Sequence, residues 1–156
     1  MGPLPFYFED LRIGDEFASP ARTITEADVT LFAGLSGDHN PLHTDEEFAK
    51  QTPFGRRIAH GLLGLSVAVG LASRLGLFDG TGIGFLGLEW SFLAPIFLGD
   101  TIRTRFVVEA KRETKKSDRG ILVLATEVLN QRGEIVQRGK RTYLVRTRRD
   151  EGSLPR

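Results

Sequence analysis

The longest apolar run in the chain spans Gly61 to Ser73 and reads GLLGLSVAVGLAS. It is shorter than the ~20 apolar residues a membrane span needs, and Arg74 follows it directly. Its apolar residues fall nearly all round a helical wheel, so the pattern predicts a helix from about Gly61 to Leu75 that is buried on most sides. Gly61, Gly64 and Gly70 predict close approach of other backbone along it.

From Phe85 the periodicity changes. Leu86, Leu88, Trp90 and Phe92 alternate with Gly87, Glu89 and Ser91, the period of two of a strand. Thr101–Lys111 (TIRTRFVVEAK), Ile121–Leu129 and Ile135–Val145 are read as further strands, joined by polar turns at 115–120 and 131–134. Consecutive strands with short polar connections make antiparallel hairpins. One long apolar helix followed by such a meander is an α+β plan, an antiparallel sheet wrapped around the helix. Before the helix, Thr25-Glu26-Ala27-Asp28 is a capping-box pattern, with Ala27, Leu31, Phe32 and Leu35 as one apolar stripe and Gly37 as the stop. Thr44-Asp45-Glu46-Glu47 opens a short helix through Phe48 and Ala49, closed by Pro53-Phe54-Gly55.

A chain of 156 residues is one domain by default, expected here at 1–147, with a polar, frayed tail at 148–156. Its net charge of +1, from 21 basic and 20 acidic residues, argues against nucleic acid as a partner. It has no cysteine, which excludes disulfides, thiolate metal sites and a cysteine nucleophile. The opening MGPLPFYFEDLRIGDEF lacks a basic segment followed by an apolar core, so no signal peptide is expected. A soluble, cytoplasmic protein with no membrane partner is the expectation.

Two segments carry candidate chemistry. Ser36–His43 reads SGDHNPLH and holds two of the three histidines. Gly, Asp, Asn and Pro are the commonest turn residues, so a plain surface turn is one reading. Asp38 and His43 are five apart, which places them on different faces of a helix and on opposite faces of a strand. Only a bent loop brings them together, and Pro41 is expected to bend it; a convergent carboxylate and imidazole would be acid–base equipment. The second segment, Arg57–Leu62, places His60 and Gly61 at the start of the long helix, where backbone N–H groups lack partners. Gly61 would let a ligand oxygen approach such an N–H, or the segment is an ordinary helix start with an N-cap histidine.

Other patterns are weaker. Gly82–Gly87 (GIGFLG) fits a dinucleotide fingerprint, but a helix precedes it and a strand follows, the reverse of what that fingerprint needs. The basic turn around Lys111, Arg112, Lys115, Lys116 and Arg119 reads as a solvated hairpin tip or a phosphate contact. His39 and His43 are four apart, but Pro41 between them denies the helix such a metal pair requires, so no metal is expected.

Taken together, Gly37-Asp38-His39-Asn40-Pro41-Leu42-His43, Ile58-Ala59-His60-Gly61-Leu62-Leu63 and Phe92–Thr101 (FLAPIFLGDT) resemble the MaoC-like family of (R)-specific enoyl-CoA hydratases and acyl dehydratases, over about residues 6–147. The resemblance implies a hot-dog fold, with residues 25–55 as a helical insertion overhanging the substrate tunnel, and a homodimer or higher homo-oligomer. It implies an acyl-CoA substrate, with coenzyme A part of that substrate and no other cofactor. Asp38 and His43 would act as general base and acid on one water, and the Gly61 N–H would receive the thioester oxygen. Asn40 and Pro41 would support the loop, and His60 would be structural or bind substrate. Lys115 and Lys116 would be the phosphate contacts. A hot-dog thioesterase and a non-catalytic acyl-CoA-binding subunit are the alternatives on the same fold.

Overall fold

The computed structural model describes residues 3–148, so the expected tail at 148–156 lies, apart from Arg148, outside the described residues. Two short strands, β1 (Glu16–Ala18) and β2 (Arg22–Thr23), lead into three helices, α1 (Glu26–Ser36), α2 (Pro41–Thr44) and α3 (Glu46–Lys50). The apolar run forms α4 (Gly61–Ser73), and four long strands follow: β3 (Gly82–Phe92), β4 (Thr101–Glu113), β5 (Arg119–Leu129) and β6 (Ile135–Arg146). The sheet is antiparallel in the order β1-β4-β5-β6-β3, with β2 also paired to β4.

Helix α4 packs on the inner face of this sheet. Leu63, Ala68 and Leu71 meet Ile102, Val128 and Val136, while Phe6, Phe8 and Leu11 close the far end against Phe106, Leu122 and Val145. Each fully buried aliphatic side chain contributes about 1.5–3 kcal/mol. The hydroxyl of Thr104 donates to the Ala68 carbonyl at 3.0 Å, tying the helix to β4. The helix ends at Ser73, two residues early, and is not buried on all sides: Leu62, Ser66 and Gly70 form an exposed ridge. The glycines also differ from expectation. A Cβ on Gly64 would lie 2.5 Å from Gln137 Nε2 and 2.6 Å from Ile96 Cδ1, so side chains rather than backbone approach it, and Gly70 faces open space.

The alternation read in β3 is interrupted. Register shifts between Gly82 and Gly84 and between Phe85 and Gly87 rotate the strand, and it pairs only with β6. Phe85, Leu86, Leu88 and Phe92 are left half-exposed. The GIGFLG stretch lies inside this strand, as its flanks required. Strands β1 and β2, three and two residues long, are too short to show a period and were not foreseen. Lys111 is not part of the solvated tip; it is part-buried and donates to the carbonyls of Phe8 and Leu11.

Helix α1 starts as expected, with Thr25 and Asp28 exchanging capping-box bonds and Gly37 left-handed at the end (φ 75°). Its stripe is rotated: Val29 and Ala33 are buried, Ala27 is exposed, and Leu31 and Leu35 are 72% and 85% exposed. Arg57, just before α4, donates to Glu26 of α1 at 2.7 and 2.8 Å and to Glu46 of α3 at 3.0 Å. These bonds hold the guanidinium well above its ordinary pKa and clamp the helical insertion to the chain entering α4. Among the described residues no helix is long and apolar enough to cross a membrane.

Candidate active site

The SGDHNPLH stretch is half loop and half helix. Asn40 is the N-cap of α2, its side-chain oxygen accepting from the Leu42 N–H at 3.0 Å, and Pro41 is the first helical residue. Proline there loses nothing, because that N–H has no intrahelical partner, and its fixed φ suits the helix. Pro41 therefore starts a single helical turn rather than bending a loop. That turn buries His43, whose Nδ1 lies 2.8 Å from the Ile58 carbonyl oxygen. A carbonyl only accepts, so Nδ1 carries the proton and, in the neutral ring, Nε2 presents a lone pair.

Asp38 lies on the exposed loop between α1 and α2. Its N–H donates to Ser36 Oγ at 3.2 Å, and its carboxylate accepts from the Asn40 N–H at 3.2 Å. Its backbone carbonyl accepts from His60 Nε2 at 2.9 Å. His60 is 2% exposed, and its Nδ1 is buried with no hydrogen-bond partner. The His60 ring lies 3.8 Å from that of His43, centroid to centroid, and 5.1 Å from that of Phe32. One polar side-chain atom from each of Asp38, His43 and His60 falls within 4.8 Å of the others, close enough to share one small ligand such as a water or a cation. His39 is exposed on the same loop and is not part of this cluster.

Gly61 is the first residue of α4, with His60 as an N-cap that makes no side-chain capping bond. The Gly61 N–H therefore faces outward from the positive end of the helix. The space a side chain would fill there is taken by the Phe92 ring, 2.9 Å from where a Cβ would sit. The Gly61 carbonyl accepts from Gln137 Nε2 at 3.0 Å, and Gln137 Oε1 accepts from Trp90 Nε1 at 3.0 Å. This relay fixes the helix start to β3 and β6 and has no local sequence signature, since Gln137 is one of several polar residues on β6 and only the structure shows that it is buried. A cavity of about 310 Å³ opens here, lined by Phe54, Ile58, Gly61, Phe92 and Pro95 among others.

The structure thus brings Asp38, His43, His60 and Gly61 to one place, with Asn40 and Pro41 shaping the turn that delivers His43. Lys115 and Lys116 are elsewhere. They occupy the β4–β5 turn, a 13-residue strand away from Thr101, while Ile58 bridges to Phe97 near the Thr101 end. At about 3.3 Å per residue that strand spans roughly 35–40 Å.

The family model for the MaoC-like domain matches residues 10–128. An (R)-specific enoyl-CoA hydratase of Rhodospirillum rubrum is 37% identical over 143 residues, covering 91% of this chain and 93% of that protein. The crystal structure of a MaoC-like dehydratase from Rhodospirillum rubrum superposes with a TM-score of 0.84 at 34% identity, covering 92% of this chain and 98% of that one. A Mycobacterium tuberculosis protein described as a double hotdog fold superposes with a TM-score of 0.80 at 21% identity, covering 92% of this chain and 45% of that one. With its sheet wrapped around α4, this chain has the hot-dog fold and belongs to the MaoC-like domain family.

Proposed function

We propose that this protein is a hydro-lyase that adds water to a trans-2-enoyl-CoA to give the (R)-3-hydroxyacyl-CoA, or runs the reverse dehydration. The observation that carries the reading is the convergence of the Asp38 carboxylate and the His43 ring within 4.8 Å, beside the N-terminus of α4. One water held between them would be hydrogen-bonded from two sides by groups able to move its proton. As its oxygen bonds to C3 of the enoyl group, one member of the pair takes the water proton, and the electron pair of the C2–C3 double bond moves toward the thioester carbonyl. The Gly61 N–H receives the negative charge growing on that oxygen, a donor of the kind whose loss costs ~10²–10³ in rate. The pair then returns a proton to C2, and the enzyme regains its starting state. Every step is redox-neutral, and each turnover consumes one water per enoyl thioester.

His60 is a positioning residue here. Its bond to the Asp38 carbonyl and its tilted ring contact with His43 hold the acid–base pair at working distance. The (R) outcome is supported by the similarity to the (R)-specific enoyl-CoA hydratase of Rhodospirillum rubrum. We also infer that a second copy covers the free edge of β3, where Phe85, Leu86, Leu88, Phe92 and Leu93 are exposed, as is Leu62 of α4. Crotonyl-CoA incubated with the protein tests the reaction. Loss of the enoyl absorbance with chiral analysis giving the (R)-3-hydroxy product supports it. Release of free thiol, or an (S) product, overturns it.

A further inference from the structure

Arg141 is 2% exposed on the inner face of β6 and takes no part in the chemistry above. Its Nε donates to Thr126 Oγ1 at 3.0 Å and its Nη1 to the Tyr143 hydroxyl at 3.2 Å, while Nη2 is buried with no partner. Its guanidinium carbon lies 5.0 Å from the centre of the Phe106 ring and 5.7 Å from that of Tyr143. Among the described residues no carboxylate lies within ion-pair distance of it. Burial pulls its pKa down, but a guanidinium keeps its proton in proteins, so a full charge stands inside the fold without a counter-ion. Such an arrangement is expensive unless something completes it.

The same residue walls a cavity of about 310 Å³ at the C-terminal half of α4, distinct from the one at Gly61. Val69, Phe78, Ile83 and Phe106 give it an apolar lining, and Tyr143 adds a hydroxyl beside the guanidinium. We propose that this cavity binds the carboxylate of an aliphatic acid, the guanidinium fork of Arg141 receiving the anion and the apolar walls receiving the hydrocarbon chain. A planar fork with unused N–H groups matches a carboxylate two-to-two. One buried positive charge balances a monoanion, and among the described residues the only other charged one on the wall is Asp79, which would repel a phosphate dianion more strongly than a monoanion. The carboxylate comes either as a free acid or as the far end of an acyl thioester; the second source rests on the function proposed above.

Two arms separate these sources, both run on the full chain in its native assembly, because β3 borders the cavity. Calorimetric titration with octanoate and with 1-octanol is expected to show at least tenfold tighter binding of octanoate if the site takes a free acid. The ratio of kcat/KM for 2-enoyl-CoAs ending in a carboxylate or a methyl group is expected to exceed ten if it takes a tethered one. In either arm the preference is lost in Arg141→Met and weakened in Tyr143→Phe, the second variant serving if the first fails to fold. No carboxylate preference in either arm, or one that survives both substitutions, overturns the proposal. Failure to hydrate crotonyl-CoA would count against the activity alone and leave the octanoate arm standing.

Discussion

At the scale of single residues, two backbone carbonyls decide what the site histidines can do. The Ile58 carbonyl holds the proton of His43 on Nδ1 and frees Nε2, and the Asp38 carbonyl does the reverse for His60. A His60→Phe variant keeps an aromatic ring against His43 but releases the Asp38 loop. It is expected to lower kcat for crotonyl-CoA roughly 10–100-fold with a smaller change in KM, since misplacement of about 1 Å is worth that much. Equal loss in KM, with kcat intact, would make His60 a substrate contact instead. Asp38 and His43 were legible as a pair because their spacing demanded a bend between them. The part played by His60 was not legible, because its bond reaches 22 residues back to a main-chain oxygen and leaves no trace in local pattern.

Among the elements, caps were readable and faces were not. The Thr25/Asp28 box is local chemistry, and it is present as the sequence implied. Thr25→Ala should destabilise the protein by about 1 kcal/mol in chemical denaturation. Burial pushes the Asp28 carboxyl up, but bonds from the Thr25 N–H, the Thr25 hydroxyl and Arg22 together outweigh it and hold the pKa below the usual carboxylate value. With the folded pKa lowered, this stability is present above the unfolded pKa and fades as pH falls through the folded one. Acid melts of Asp28→Asn should therefore show a shallower loss of stability below about pH 4 than wild type. The outward turn of Leu31 and Leu35 depended on where α1 sits against the rest of the fold, which periodicity does not encode. Helix α2, four residues long, is below the length at which any period shows. In α4, Gly64 is the tight point, and Gly64→Ala should drive Gln137 from the Gly61 carbonyl and destabilise by about 1–3 kcal/mol, read by thermal melting.

The architecture of the whole molecule followed from one apolar helix and three hairpin-linked strands, and the structure keeps that plan. What the chain alone does not cover is β3, whose outer edge and apolar side chains are exposed, together with the ridge on α4. If a second copy covers them, Leu86→Lys combined with Leu88→Lys should shift the mass in solution, by light scattering, from dimer or larger toward monomer; an unchanged mass would place the interface elsewhere.

The role proposed for Asp38 and His43 is the activation of one water on an enoyl thioester. Its most direct test is the rate of crotonyl-CoA hydration by Asp38→Asn and His43→Gln, each checked by circular dichroism and melting to be folded. A fall of at least ~10²-fold in kcat is expected for both variants with the fold intact. Turnover near that of wild type in both would contradict it.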